Sequence, residues 1–482
     1  MTSPQNESGA RRTEILSRIH TPYEELLVGA EPDSQYYLDL IKLKIALSTN
    51  LLSLEQVHKL GEELHKDAES VMSTFIPLYE PWSQEMIDRV IENLRYLMKH
   101  DVVNAKILDS AIYDVLGHKR PHRVPVGTEA EVLKYFARNP MRTFRDASLE
   151  LSMHRSTVYE AYKKLESHHW ARILGHNNVT GFGLQPIYFL FELNDHESWM
   201  QIESCVQAFP FTSRIHRYPN SETIVSAFLL PNSTENLREF KSGIKEMSDE
   251  FFSYSSLHLY EGSGRLMNPS LMQEGAWLLP KCITERNLDA KDSGGPFIGA
   301  TERNEFMEDL TYVDFHLEEI LCMNPRMKPS EAKTHLEAQG LDMPLRTISE
   351  RRNLLIDRGI LTPFLWFARL GFHYDIPVEV ICNATVSDRL LNILASFPLV
   401  YLYFKSHRGM IFWLETPQAH LTDYLWFLNT VREMKGVKSV RSILAITYRG
   451  GRPNKDIMAG FEYGDEGFLI SPSDVDITAH LE

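Results

Sequence analysis

An internal repeat constrains this chain more than any other feature. Asn139-Pro140 recurs as Asn324-Pro325, 185 positions on, and Thr157 with Leu165 recurs as Thr347 with Leu355 at 190. Phe209-Pro210 and Phe397-Pro398 stand 188 apart, as do Tyr260-x-Gly262 and Tyr448-x-Gly450. Matches that keep their order and a nearly fixed offset need only short loop changes between them. The chain therefore carries two copies of one unit, near 126–262 and 312–450.

Within copy one the apolar spacing predicts three helices. Val132, Leu133 and Phe136 share a face of the first, over 129–138. Thr143 caps a second helix through Leu151. After a turn at Ser152-Met-His154, the third runs from Arg155 to Glu166 and buries Val158, Ala161 and Leu165. Two apolar segments, 171–174 and 185–188, flank glycines and asparagines and predict a hairpin. Three helices plus a hairpin make a winged helix-turn-helix over 126–185. Copy two repeats the order over 312–374. Its helices are 315–323, Ser330 to Ala338, and Leu345 to Arg358, with Gly340-Leu-Asp-Met-Pro344 as the turn. Its apolar wing, with Phe364, Leu365, Trp366, Phe367 and Phe372, is expected to pack against another domain. The second half of each copy, 186–262 and 375–450, alternates strand, helix, strand, strand, helix, strand. That is the order of a ferredoxin-like α/β sandwich, so the fold class is α+β.

Outside the repeats, 13–117 reads as a helical domain, with Leu38, Ile41, Ile45 and Leu52 at helical spacing. A structural or dimerising bundle is expected, and only the second would make the chain a homodimer. The basic, proline-broken run His118-Lys-Arg-Pro-His-Arg-Val-Pro125 reads as a linker. So does 263–304, within which Trp277-Leu-Leu279 is expected to dock. The tail, 451–482, is acidic and expected to be solvated, unless it competes with DNA for basic surfaces. Lys and Arg number 50 against 65 Asp and Glu, a net charge of −15. Overall charge therefore cannot attract polyanions, and any nucleic-acid contact must be local. No apolar run reaches about 18 residues, so no membrane span is expected. The four cysteines are scattered, which predicts a reducing, cytoplasmic setting.

A helix that enters a major groove needs donors and phosphate binders near its N-terminus. The exposed side of copy one's third helix offers His154, Arg155, Ser156, Thr157, Tyr159 and Lys163. Arg155 is suited to bidentate donation to guanine, and Ser156 and Thr157 to phosphates or base edges. In copy two, Arg346, Thr347, Arg351 and Arg352 are expected to be exposed in the same way. The expected partner is double-stranded DNA.

The stretch from Leu151 to Glu166, with its Ser/Thr start, basic pair and Leu-Glu end, resembles the recognition helix of the Lrp/AsnC family of transcription regulators. Phe209-Pro210 and Phe397-Pro398, each ending a helix before a strand, resemble that family's sensing domain. The resemblance spans both repeats and implies a DNA-binding regulator modulated by a small-molecule effector at paired sandwich domains. Family members usually carry one unit per chain, so two units here imply a built-in pseudo-dimer.

No Gly-rich phosphate loop and no Gly-x-Ser-x-Gly motif is present. His168, His169 and His176 lack a fourth ligand nearby in sequence. No metal, cofactor or catalytic residue is expected, and the chain is read as not an enzyme. Sirohaem decarboxylases resemble the same architecture, and on that alternative His216, Arg217, His407 and Arg408 would bind carboxylates. An adaptor with disused helix-turn-helix units is the other alternative.

Overall fold

The computed structural model describes residues 124–442 and 450–481, apart from 170, 196–197, 218–222, 291–296, 368–369, 373, 452–453 and 465–466, and isolated positions between 15 and 60. The chain divides into two units, 1–120 with 448–451 and 121–447 with 452–482. The helical domain expected at 13–117 and most of the basic linker lie almost wholly outside the described residues. In the first unit 15–17, 39, 42–43, 46, 56 and 60 are helical, and Leu16, Ile19, Leu43 and Ala46 are buried. Everything below concerns the second unit. Among the described residues no helix is long and apolar enough to cross a membrane.

Each copy opens with three helices. In copy one these are α1 (Gly127–Arg138), α2 (Phe144–Glu150) and α3 (Arg155–His169). Thr143 starts α2 with a full capping box, its hydroxyl accepting from the Asp146 amide while the Asp146 carboxylate accepts from the Thr143 amide. Phe136 lies at the centre, edge-on to Tyr135, Phe144 and Tyr162. A strand, β1 (Arg172–Asn177), follows. The first sandwich is β2 (Leu184–Leu193), α4 (Trp199–Ala208), β3 (Thr212–Arg217), β4 (Thr223–Pro231), α5 (Thr234–Phe251) and β5 (Phe252–Met267), with β6 (Phe297–Glu302) beyond it.

Copy two gives α6 (Tyr312–Met323), α7 (Pro329–Glu337), α8 (Leu345–Asp357) and β7 (Leu361–Trp366). Its sandwich is β8 (Tyr374–Cys382), α9 (Ala384–Leu394), β9 (Leu399–Ser406), β10 (Gly409–Thr416), α10 (Leu421–Arg432) and β11 (Val437–Ser442). The element order and the antiparallel strand orders β5-β2-β4-β3 and β11-β8-β10-β9 are those of two ferredoxin-like sandwiches.

Three expectations need correction. The two apolar segments of copy one do not pair as a local wing. β1 pairs instead with β7 of copy two, Arg172 opposite Trp366 and Asn177 opposite Leu361, while β2 enters the sandwich sheet. Cross-copy pairing satisfies backbone groups that a lone edge strand would leave open. The apolar wing of copy two thus becomes core for copy one, where Phe364, Leu365 and Phe372 join Val132, Leu133 and Phe136. The expected linker is also more ordered. β5 continues through 263–267 and pairs with β9, so one sheet runs through both sandwiches, and Trp277 stacks on Phe372 at 5.0 Å. Leu278, by contrast, is exposed. Finally, the acidic tail docks: Val475 and Ile477 are fully buried, Ile477 sits over Gly243 of α5, and its carbonyl accepts from the Cys205 thiol.

The sheets of the two sandwiches also pack face to face. Tyr188 lies 4.6 Å from Phe404 and 5.7 Å from Trp413, centroid to centroid, and Leu190, Val225 and Ile411 fill the rest. Two similar copies that bury equivalent faces on each other form an intramolecular pseudo-dimer.

Candidate nucleic-acid interface

α3 carries the residues singled out in copy one. Its inner side buries Val158, Ala161, Tyr162 and Leu165. His154, Arg155, Ser156, Thr157, Tyr159, Lys163 and Lys164 are all exposed. The start of the helix is organised by a side chain, because His154 Nδ1 lies 2.7 Å from Ser156 Oγ and accepts from the Ser156 amide at 3.4 Å. Tyr159 packs edge-on against Phe144 of α2 at 5.5 Å, which restrains its ring, while the residue as a whole stays exposed. Lys163 pairs with Glu166 one turn on, and this hydrogen bond raises its pKa. Such an exposed pair is weak and readily exchanged for a phosphate. Arg142 and Arg145, in the turn before α2 and in its first turn, are exposed as well.

In copy two the four singled-out residues separate. Arg346 is solvent-exposed, with its Nε donating to Glu350 at 2.8 Å. Thr347 is half-buried. Arg351 and Arg352, expected on the outer side, turn inward. Arg351 Nε donates to Asp314 Oδ1 at 2.7 Å and its Nη2 to the Asp309 carbonyl at 2.8 Å, while Arg352 Nη1 donates to the Met327 carbonyl at 3.3 Å. The repeat explains this: Thr157 and Leu165 align with Thr347 and Leu355, so Arg351 and Arg352 stand where copy one has core-facing Ala161 and Tyr162. A guanidinium at such a position must find an anion, and buried Asp314 provides it.

A second polar cluster lies between the sandwiches and was missed from sequence. His258 of β5 and Glu379 of β8 are both fully buried and 2.7 Å apart, Nε2 to Oε1. His258 Nδ1 lies 2.8 Å from Ser406 Oγ, and Tyr254 donates to Glu379 Oε2 at 2.5 Å. Arg441 stacks over the Tyr254 ring at 3.4 Å and donates to Glu192 at 2.8 Å. Burial alone would raise the Glu379 carboxyl. The hydrogen bond and charge of His258, with the Tyr254 and Ser256 hydroxyls, outweigh that and hold it below its ordinary value. Residues 121 positions apart show no local motif, so only the packing of the sandwiches reveals the pair.

Of the residues of the enzyme alternative, only His407 and Arg408 have described side chains. His407 and Arg408 form the exposed tip of the β9–β10 hairpin. His216 and Arg217 lie at the end of β3, and their side chains lie outside the described residues. His176, weighed for a metal, lies 2.8 Å from Ser263 Oγ, and burial with the nearby Arg265 and Arg214 charges lowers its pKa to about 3. Among the described residues no group of three or more His, Cys, Asp or Glu is placed to hold a metal ion. Beside Arg265, whose guanidinium lies 4.5 Å from the Phe364 ring and 4.3 Å from the Tyr401 ring, is a cavity of about 20 Å³. That is room for about one water.

No family model matches the chain, and no curated protein matches it. Among solved structures, it is similar to a crystal structure of the siroheme decarboxylase NirDL, at 10% identity and a TM-score of 0.42, covering 69% of this chain and 96% of that one. It is likewise similar to the same decarboxylase in co-complex with an iron-uroporphyrin III analogue, at 12% identity, a TM-score of 0.42 and the same coverage. The expectation that the chain is not an enzyme is corrected on this finding, since the structures it is similar to are those of an enzyme.

Proposed function

We propose that this chain is a DNA-binding regulator that reads the major groove with α3. One observation carries the reading. In a protein of net charge −15, a helix pinned to its core by Val158, Ala161 and Leu165 presents Arg155, Ser156, Thr157, Lys163 and Lys164 outward together, with exposed Glu160 among them and with exposed Arg142 and Arg145 on and just before α2. Local cationic surface on an anionic protein favours phosphate contact at one place and discourages it elsewhere. The intramolecular pairing of the sandwiches supplies the platform that the family resemblance assigns to a small-molecule effector. Any effector there would have to enter a packed interface.

The test is selection of duplexes from a random pool by the full chain, followed by titration of the selected sequence. Arg155→Ala should weaken specific binding by about 1–3 kcal/mol and relax one base position. Lys163→Ala should weaken binding to every sequence and flatten the salt dependence by about one phosphate. Unchanged specific affinity in both variants would show that α3 does not read DNA. DNA binding and catalysis are compatible in one chain, and carbon dioxide release from siroheme measures the second independently.

A further inference from the structure

We infer that the tandem reads DNA asymmetrically: only copy one contacts bases and phosphates, and copy two is its structural counterweight, so one chain engages one half-site. The inference rests on the DNA-binding reading above and narrows it to a class of site.

The two copies can be aligned position by position. Val158 and Leu165 of α3 fall on Ile348 and Leu355 of α8, both buried, at the 190 offset, and both helices begin in that register. Ala147 of α2 falls on Ala332 of α7, both fully buried, at 185. In this register the exposed cations of copy one, Arg142, Arg145, Arg155, Lys163 and Lys164, meet Met327, Ser330, Leu345, Asn353 and Leu354. No positive charge of the copy-one face survives in copy two.

Most cations that copy two has on and around α8 pair with its own acids or carbonyls, while Lys328 at the start of α7 is exposed. Arg346 pairs with Glu350, Arg358 with Asp309, and Lys333 with Glu337 and Asp342. Arg351 and Arg352 point inward, as described. A phosphate approaching α8 would meet Arg346, whose exposed pair is as exchangeable as that of Lys163, but it would find Leu345 at the helix start, where a reading helix needs donors, and Asn353 and Leu354 where copy one has two lysines. Copy two does serve copy one. β7 pairs with β1, its aromatics complete the core beneath α1 and α3, and the Arg326 guanidinium stacks over Phe136 at 5.0 Å while donating to the Arg142 carbonyl at 2.5 Å. The duplicated helices thus keep their packing role after losing their charge.

The experiment uses the full chain and the duplex it selects. Arg155→Ala should lower affinity roughly ten- to a hundredfold. Arg346→Ala and Asn353→Ala should stay within about twofold of the parent. Titration well above the dissociation constant should saturate at one chain per half-site, a count that holds whether or not chains also dimerise. Equal losses from Arg155→Ala and Arg346→Ala, or saturation at one chain per two half-sites, would overturn the asymmetry and leave the DNA-binding reading standing. A parent chain that selects no sequence overturns both. Leu345→Arg with Asn353→Lys restores the copy-one pattern and should shift saturation toward one chain per two half-sites, whereas no shift would mean that lost charge is not what silences copy two.

Discussion

At the scale of single residues, buried charge separates what this chain tolerates from what it uses. Glu318 of α6 is fully buried, and one carboxyl oxygen accepts from the Cys322 thiol at 2.8 Å while the other finds no hydrogen-bond partner among the described residues. Burial raises its pKa to about 8, so near neutral pH it is mostly a neutral acid. Its folded pKa lies above the unfolded value. Its contribution is therefore fully present below about pH 4.5 and is lost as pH rises through about 8. Glu318→Gln keeps the acceptor for Cys322 and removes the titration. We expect it to be more stable than the parent above pH 8, by roughly 2–4 kcal/mol, with no difference near pH 4. Denaturant melts at both pH values check this, and equal curves at high pH would refute it. Neither the burial nor the shift is legible in the sequence. Arg351 and Arg352 are a different case: the 190 offset sets them on the core-facing positions of Ala161 and Tyr162, and only their partners depend on the packing against α6.

At the scale of elements, the helices were legible and the strand pairing was not. α1, α2 and α3 follow from apolar spacing and from the Thr143 cap, both local signals. β1 also follows, but its partner does not, because pairing with β7 joins positions about 190 apart through contacts that no short window encodes. A residue in β1 shows how closely the strands fit. A Cβ at Gly175 would lie 2.3 Å from a Leu361 methyl and 3.0 Å from the Cys322 backbone. Gly175→Val should destabilise the chain by about 1–3 kcal/mol through overpacking. Because that clash lies between copies, the same substitution should also weaken DNA binding less than Arg155→Ala does at temperatures below the melt. Thermal melting paired with DNA titration separates the two effects.

At the scale of the whole molecule, the sandwiches are joined by a continuous sheet and by the buried Glu379–His258 pair. The folded pKa of Glu379 is depressed, so the stability it contributes is present above the unfolded value near 4.5 and is lost as pH falls through the folded value. Glu379→Gln should lower stability at pH 7 by about 1–3 kcal/mol, because an amide cannot accept from both His258 and Tyr254 as the carboxylate does. It should also flatten the acid limb of the stability curve below pH 4.5. A variant that unfolds with the parent's acid profile would show that the pair does not couple the two copies.

By itself the sequence determined the duplication, the order of elements within each copy and the outward donors of α3, because periodicity, caps and offsets are written in neighbouring residues. Tertiary structure alone decided that the wings pair with each other, that the acidic tail docks on α4 and α5, that Glu379 meets His258, and that the arginines of α8 serve Asp314 and the Met327 carbonyl instead of solvent. Each of these depends on which surfaces two similar halves bury against one another. That choice is made by shape and by the cost of leaving backbone and charge unpaired, over separations that a linear pattern does not record.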